Sequence, residues 1–177
     1  MDTGNSPKVR RVAIVGPECT GKTDLARFLA SHYQTTWVPE FARAYLEELH
    51  RPYVKEDLTI IAQGQVNAEN SIAEQASRLV FCDTNLIVIK IWSEFKYGSC
   101  DPAILTLMKQ QKYDLHLLMD VDLPWEDDPL REHPHKRLEL FGMYKAELEN
   151  SKTNFTIIRG DYALRRAAAV DAVEKIS

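Results

Sequence analysis

The stretch VAIVGPECTGKTDLA, from Val12 to Ala26, constrains this chain more than any other part of it. Gly16 to Thr23 match the pattern G-x-x-x-x-G-K-[ST]. An apolar strand runs in and an amphipathic helix leaves, which is the setting that pattern needs to hold phosphate. Gly16 and Gly21 let the backbone wrap closely around an anion. Pro17, Glu18, Cys19 and Thr20 form the turn between them, at the positive end of the following helix. Lys22 is placed to reach the β and γ phosphates of ATP as a point charge, and the Thr23 hydroxyl to ligate magnesium.

The rest of the 177 residues continues the alternation of strand and helix. Strands are predicted over Val9–Val15, Thr35–Val38, Leu79–Asp83, Tyr113–Asp122 and Asn154–Gly160. Helices are predicted over Thr23–Tyr33, Phe41–Leu49, Asp57–Arg78, Asp101–Gln111, Leu138–Asn150 and Tyr162–Ile176. Leu25, Phe28 and Leu29 share one helical face, and Asp101-Pro102 reads as an N-cap followed by proline at the first helical position. The expected fold is three-layer α/β: a P-loop NTPase of the nucleoside- and nucleotide-kinase-like kind, with a parallel sheet of about five strands and a mobile lid. Residues 1–8 are polar and read as a flexible tail, leaving residues 9–177 as a single P-loop kinase domain. The segment LPWEDDPLREHPHKR carries three prolines and a dense mixture of both charges, which argues against regular core structure. The lid is expected there, over about residues 124–137.

Composition removes several classes of function. Lys plus Arg number 22 against 26 Asp plus Glu, a net charge of -4, which leaves no electrostatic footprint for nucleic acid. No apolar run approaches the roughly 18 residues of a membrane helix, and no signal segment opens the chain, so a cytoplasmic protein without a membrane partner is expected. Cys19, Cys82 and Cys100 lack C-x-x-C spacing and read as reduced thiols. A homo-oligomer stays open.

Among users of such a loop, a compact small-molecule kinase fits best. There is no N-K-x-D string for guanine, no D-x-x-G after the loop, and no room for the accessory domains of a motor. Asp83 ends an apolar strand where a carboxylate faces the loop, to hold magnesium or take a proton from the acceptor hydroxyl. Glu40 and Arg43 follow the second strand at the crevice where α/β sheets bind ligands. Glu40 is a candidate general base and Arg43 a candidate for phosphate or acceptor oxygen. Arg131 and Arg137 lie in the lid segment, where an arginine can swing over a transferring phosphate while water is excluded. Trp37, Phe41, Tyr45, Trp92 and Trp125 are candidates to stack on a ring of the acceptor. His133 and His135 lack a third ligand at useful spacing and read as loop residues rather than a metal pair.

The strings GPECTGKTDLA, WVPEFARAYL, FCDTN and YDLHLLMDVDLPWEDDPLRE, in this order, resemble the ribosylnicotinamide kinase domain of bifunctional NAD-biosynthesis proteins and its stand-alone AAA-type relatives. The resemblance runs from about Val9 to Gly160. It implies transfer of phosphate from ATP, with magnesium, to the ribose 5′-hydroxyl of nicotinamide riboside. It assigns Gly16–Thr23 to ATP and magnesium, Glu40 and Arg43 to the substrate side, Asp83 to the catalytic centre and Arg131 to the lid; Asn85 and Trp125 join the substrate-binding candidates, and Arg137 the ATP-binding ones. Cys19 stands where serine is more usual, a change expected to matter little because that position acts through its backbone. The length leaves no room for the adenylyltransferase and repressor domains of the larger members, so the kinase step alone is expected. A kinase for another nucleoside or nucleotide, and a regulatory ATPase module, remain alternatives.

Overall fold

In the strand RRVAIV, Val12 and Ile14 point to one side and Ala13 and Val15 to the other, and all four are fully buried. A strand apolar on both faces belongs inside a parallel sheet covered by helices on both sides. The computed structural model describes residues 8–177; the tail expected over residues 1–8 lies, apart from Lys8, outside the described residues. Five strands, β1 (Arg10–Val15), β2 (Thr36–Val38), β3 (Leu79–Asp83), β4 (Leu115–Met119) and β5 (Phe155–Ile158), form one sheet in the order β2-β3-β1-β4-β5. Every pairing is parallel, and the register sets Ile14 opposite both Asp83 and Leu117.

The helices are α1 (Lys22–His32), α2 (Phe41–Glu48), α3 (Lys55–Ala73), α4 (Leu86–Tyr97), α5 (Pro102–Gln110), α6 (Arg137–Asn150) and α7 (Tyr162–Glu174). On one face α1 and α7 set Leu25, Leu29, Ala169 and Val173 against Val12, Ile14, Phe81 and Leu117. On the other, Ile87 and Ile91 of α4 and Leu140 and Leu148 of α6 cover Ala13, Val15 and Leu118. Helix α3 closes the β2–β3 edge, where Ala73 meets Val38, Val80 and Cys82. The chain turns to one side of β1 for β2 and β3 and to the other for β4 and β5. The C-terminal ends of β1, β3 and β4 therefore border one crevice, the place where open α/β sheets take ligands. Among the described residues no helix is long and apolar enough to cross a membrane.

The sequence reading lacked α4. Leu86, Ile87, Ile89, Ile91 and Ser93 are all buried, because α4 lies between the sheet and α3 and α5; a helix covered nearly all round is apolar over most of its surface, and only the narrow line of Lys90 and Glu94 marks its polar side. Its ends are marked nonetheless: the Asn85 side chain accepts from the Ile87 N–H at 3.0 Å, and Gly98 closes it at φ 75°. Asp101 and Pro102 start α5 as expected, with the Asp101 carboxylate accepting from the Ala103 N–H at 2.7 Å.

Arg165 was also missed, and it ties the crevice together. Only 2% of its surface is exposed. Its guanidinium donates to the carbonyls of Thr20 at 2.7 Å, Gly160 at 2.7 Å and Asp120 at 3.0 Å, and to the Asp122 carboxylate. The loop after β1, the turn after β4 and the turn after β5 thus share one buried cation. Its signal in the sequence is an arginine on the stripe that Ala169, Ala172 and Val173 bury. Arg165→Met strips three carbonyls and a carboxylate of their donor, and is expected to lower unfolding free energy by about 3 kcal/mol, measured by urea denaturation.

Candidate active site

The loop from Gly16 to Gly21 lies against the end of β4. A Cβ on Gly16 would fall 2.9 Å from the Met119 carbonyl oxygen, and the residue sits at φ 140°, so only glycine fits. Cys19 at φ 55° and Gly21 at φ 79° turn the chain further. Among the described residues, no acceptor meets the N–H groups of Glu18, Cys19, Thr20 and Gly21, which open at the head of α1 where the helix dipole favours an anion. The Thr20 hydroxyl holds the Pro17 carbonyl at 2.8 Å. The Lys22 ammonium folds over the loop, donating to the carbonyls of Gly16 at 3.1 Å and Pro17 at 2.7 Å.

Beside the loop, the Thr23 hydroxyl donates to Asp83 Oδ2 at 2.5 Å. Asp83 is 1% exposed, and its Oδ1 has no partner. Burial raises its pKa, against the pull of the Thr23 hydrogen bond and the Lys22 charge. A buried carboxylate with one unshared oxygen, next to a hydroxyl at the mouth of a phosphate cradle, suits a divalent cation that takes its remaining oxygens from phosphate and water. Among the described residues no group of three or more His, Cys, Asp or Glu is placed to hold a metal by itself, as such a site requires none.

Glu40 precedes α2 and stands across the cleft. Its carboxylate does not cap that helix but shares the crevice with Lys22, Asp83, Arg43 and Glu18. Burial raises its pKa, Lys22 and Arg43 pull it down, and Asp83 and Glu18 push it up. Part of its surface stays open to the cleft, while the raised pKa reflects the protein walls around it. Arg43 is paired with Asp128 at 3.0 Å and Glu47 at 3.7 Å.

The proline-rich segment lies along the cleft and is fastened on both sides. Towards the loop, Glu18 accepts from the N–H groups of Glu132 at 3.1 Å and His133 at 3.0 Å, and Arg137 donates to the Cys19 carbonyl at 3.2 Å. Towards α2 and α4, Asp128 holds Arg43, and Glu132 holds Lys96 at 3.0 Å and the Tyr53 hydroxyl at 2.5 Å. The Trp92 indole N–H donates to that same hydroxyl at 2.9 Å. Burial and the Glu132 carboxylate push the Tyr53 phenol up to about 12. These walls enclose a cleft of about 640 Å³.

The structure brings Gly16–Thr23, Glu40, Arg43 and Arg131 together in this cleft, with Asp83 joined to it through Thr23 and Arg137 through Cys19. It places two candidates elsewhere. Asn85 faces away, its amide spent on capping α4 and on His116 Nε2 at 3.1 Å. Trp125 stands outside the cleft wall, where the guanidinium groups of Arg131 and Arg137 lie 5.9 and 5.7 Å from its ring centroid. Of the other aromatic candidates only Trp92 lines the cleft, with Tyr53 and Phe95, which the sequence reading lacked. Cys19 does more than lend its backbone. Its sulfur accepts from the Glu126 N–H at 3.1 Å and from Arg131 at 3.3 Å, and its thiol faces the Pro124 carbonyl at 3.4 Å. His133 packs edge-on against Phe95, with ring centroids 5.0 Å apart.

The family described as AAA domain matches the chain over residues 11–165. The chain belongs to that family. This AAA domain has relatives among the trifunctional NAD biosynthesis/regulator proteins NadR. That of Escherichia coli (strain K12) is 27% identical over 177 residues, covering 95% of this chain and 43% of the relative. That of Salmonella typhimurium (strain LT2) is 30% identical over 129 residues, covering 70% of this chain and 31% of the relative. The chain spans less than half the length of these curated relatives. A crystal structure of a NadR protein in complex with NR superposes with a TM-score of 0.83 at 23% identity, covering 95% of this chain and 51% of that one. Thymidylate kinase from Ehrlichia chaffeensis superposes with a TM-score of 0.70 at 12% identity, covering 97% and 100%. The AAA domain therefore has the P-loop NTPase fold of nucleoside and nucleotide kinases, and the resemblance read from its motifs holds.

The raised pKa of Glu40 has a consequence for stability. Its ionisation is harder in the folded protein than in the unfolded chain, so the stability associated with the neutral carboxyl is present below the unfolded pKa and is lost as pH rises through the folded one. Glu40→Gln cannot ionise. It is expected to melt above the parent protein at about pH 8 and to lose that margin at about pH 4, as thermal melts at the two pH values would record.

Proposed function

We propose that the AAA domain is an ATP- and magnesium-dependent kinase of a nucleoside, with nicotinamide riboside the foremost acceptor. The observation that carries this reading is the pair of dissimilar carboxylates across the cleft. Asp83 shares one oxygen with Thr23 and keeps the other free, while Glu40 stands opposite without a capping bond. The loop N–H groups and Lys22 bind and orient the phosphates. Thr23 and Asp83 would hold magnesium, which would supply neutralising charge to the phosphate oxygens. Glu40 takes the proton of the attacking hydroxyl, a role its raised pKa suits better than that of an ordinary surface glutamate.

The acceptor side supports a nucleoside over a nucleotide. Its cations are already matched: Arg43 with Asp128, Arg51 with Asp57 and Lys96 with Glu132. An acceptor phosphate would have to displace a carboxylate. The flat ring of a nucleoside such as nicotinamide riboside finds the aromatic walls Tyr53, Trp92 and Phe95 on this side of the cleft. The NadR protein solved with NR favours the same acceptor. Residues 124–137 serve as the lid. Their fastenings are largely exposed pairs worth roughly 0–1 kcal/mol each, weak enough to release, and Arg131 already lies beside Cys19 of the loop.

A coupled ADP-release assay over a nucleoside panel tests the reading. Nicotinamide riboside is expected to accelerate ADP formation, and nucleoside monophosphates are not. Lys22→Ala is expected to slow transfer by about a hundredfold with the fold intact; near-normal turnover would remove the kinase. For the lid, hydrogen exchange over residues 124–137 is expected to slow more with ATP and acceptor together than with ATP alone. Arg131→Ala should lower kcat more than it raises KM for ATP. Unchanged turnover in that variant, with ATP alone ordering the segment, favours a regulatory ATPase module.

A further inference from the structure

Helix α2 runs only from Phe41 to Glu48, and its N-terminus carries Glu40 into the cleft. The hold on that terminus comes from the neighbouring helix α3, through two consecutive residues. Gln65 is 1% exposed. Its Oε1 accepts from the Phe41 N–H at 3.0 Å, and its Nε2 donates to Glu69 Oε1 at 3.0 Å. The amide orientation follows from its partners, since a carboxylate can only accept and a backbone N–H can only donate. Glu69, fully buried, is fixed in turn by the Tyr113 hydroxyl at 2.6 Å and by Arg11 at 3.8 Å. The chain of bonds thus anchors the Glu40–Phe41 peptide to the sheet rather than to the cleft.

Gly64 supplies the second half of the clamp. A Cβ at this position would lie 2.2 Å from Phe41 Cε1 and 2.3 Å from Cζ, so the Phe41 ring rests on the bare backbone of α3. Glycine in the middle of a helix is destabilising, and here it is the condition for the ring to approach. One residue of α2 is gripped by its N–H and by its ring, and the peptide so gripped is the one bearing Glu40.

We propose that Gly64 and Gln65 are positioning residues for phosphoryl transfer, fixing the Glu40–Phe41 peptide so that the Glu40 carboxylate faces the Lys22 and Asp83 side of the cleft. The proposal rests on the kinase reading with Glu40 as proton acceptor. A group displaced by an ångström or so from its productive position loses much of its effect on rate, while binding at a distant subsite is untouched.

The test uses Gln65→Met, which keeps the shape and lacks the acceptor. Expected are a loss in kcat of at least about tenfold, a KM for ATP within about twofold of the parent, and a fall of the Glu40 titration towards the ordinary glutamate range in carboxyl-carbon NMR. The double variant Gln65→Glu/Glu69→Gln reverses the pair while keeping an acceptor for Phe41 and a donor between the two positions, and is expected to recover most of kcat. Unchanged kcat in folded Gln65→Met, equal losses in kcat and ATP affinity, or no recovery in the exchanged pair would overturn the proposal. Where Gln65→Met does not fold, Gly64→Ala decides: it should lose kcat, and Gly64→Ala/Phe41→Leu should regain part of it, an absent recovery counting against the clamp. A parent protein without acceptor-dependent ADP release defeats the kinase reading instead, and the Glu40 titration then judges the clamp alone, since it needs no turnover.

Discussion

Gly16 sits where no other residue can, because a side chain there would run into the last carbonyl of β4. The arrangement of the cleft depends on that contact. It sets the path of the loop between β1 and the head of α1, and so decides where the free N–H groups point. It also keeps the loop close enough to the turns after β4 and β5 for Arg165 to reach all three. A loop whose successive N–H groups point the same way is unstable if left to itself. Its carbonyls are therefore held by side chains, Thr20 and Lys22 from within and Arg165 from behind, which is how a phosphate site is organised before phosphate arrives.

The carboxylates obey the opposite logic. Arg51 holds Asp57, and Arg43 and the Leu130 N–H hold Asp128, well matched and below their usual range. Asp83 and Glu40 are kept above theirs by burial, Glu40 also by the Asp83 charge. The fold thus carries acidic groups that strengthen it and acidic groups that weaken it. The division follows their position, since the weakening pair is the one facing the loop. Perturbed carboxylates gathered in one crevice are what a site for proton and phosphate chemistry demands.

Much of this was legible in the sequence because it is written locally. A phosphate loop is a contiguous string, β3 is five apolar residues ending in Asp83, and the cap of α5 is two adjacent residues. What was missed is written across long separations. Helix α4 is apolar over most of its surface because it is covered nearly all round, which leaves only the narrow line of Lys90 and Glu94 to mark it. Tyr53, Lys96 and Glu132 lie on three distant segments and become one cluster only when folded. Asn85 and Trp125 looked like ligand-binding residues because they neighbour the right motifs, yet a side chain at the head of a helix is claimed by that helix, and one flanked by arginines is claimed by them. Cys19 was read for its backbone alone, since nothing local reveals that Glu126 and Arg131 converge on its sulfur.

Arg165 and Thr20 are 145 residues apart in the chain. The first functional loop to be synthesised is therefore braced by one of the last helices to emerge. Until α7 docks, the Thr20 carbonyl lacks this buried donor, so the loop takes its final shape only once α7 is in place. Long-range closure of this kind slows folding relative to a fold of local contacts. It also means that a chain interrupted before α7 would keep the complete Gly16–Thr23 string and lack the means to shape it.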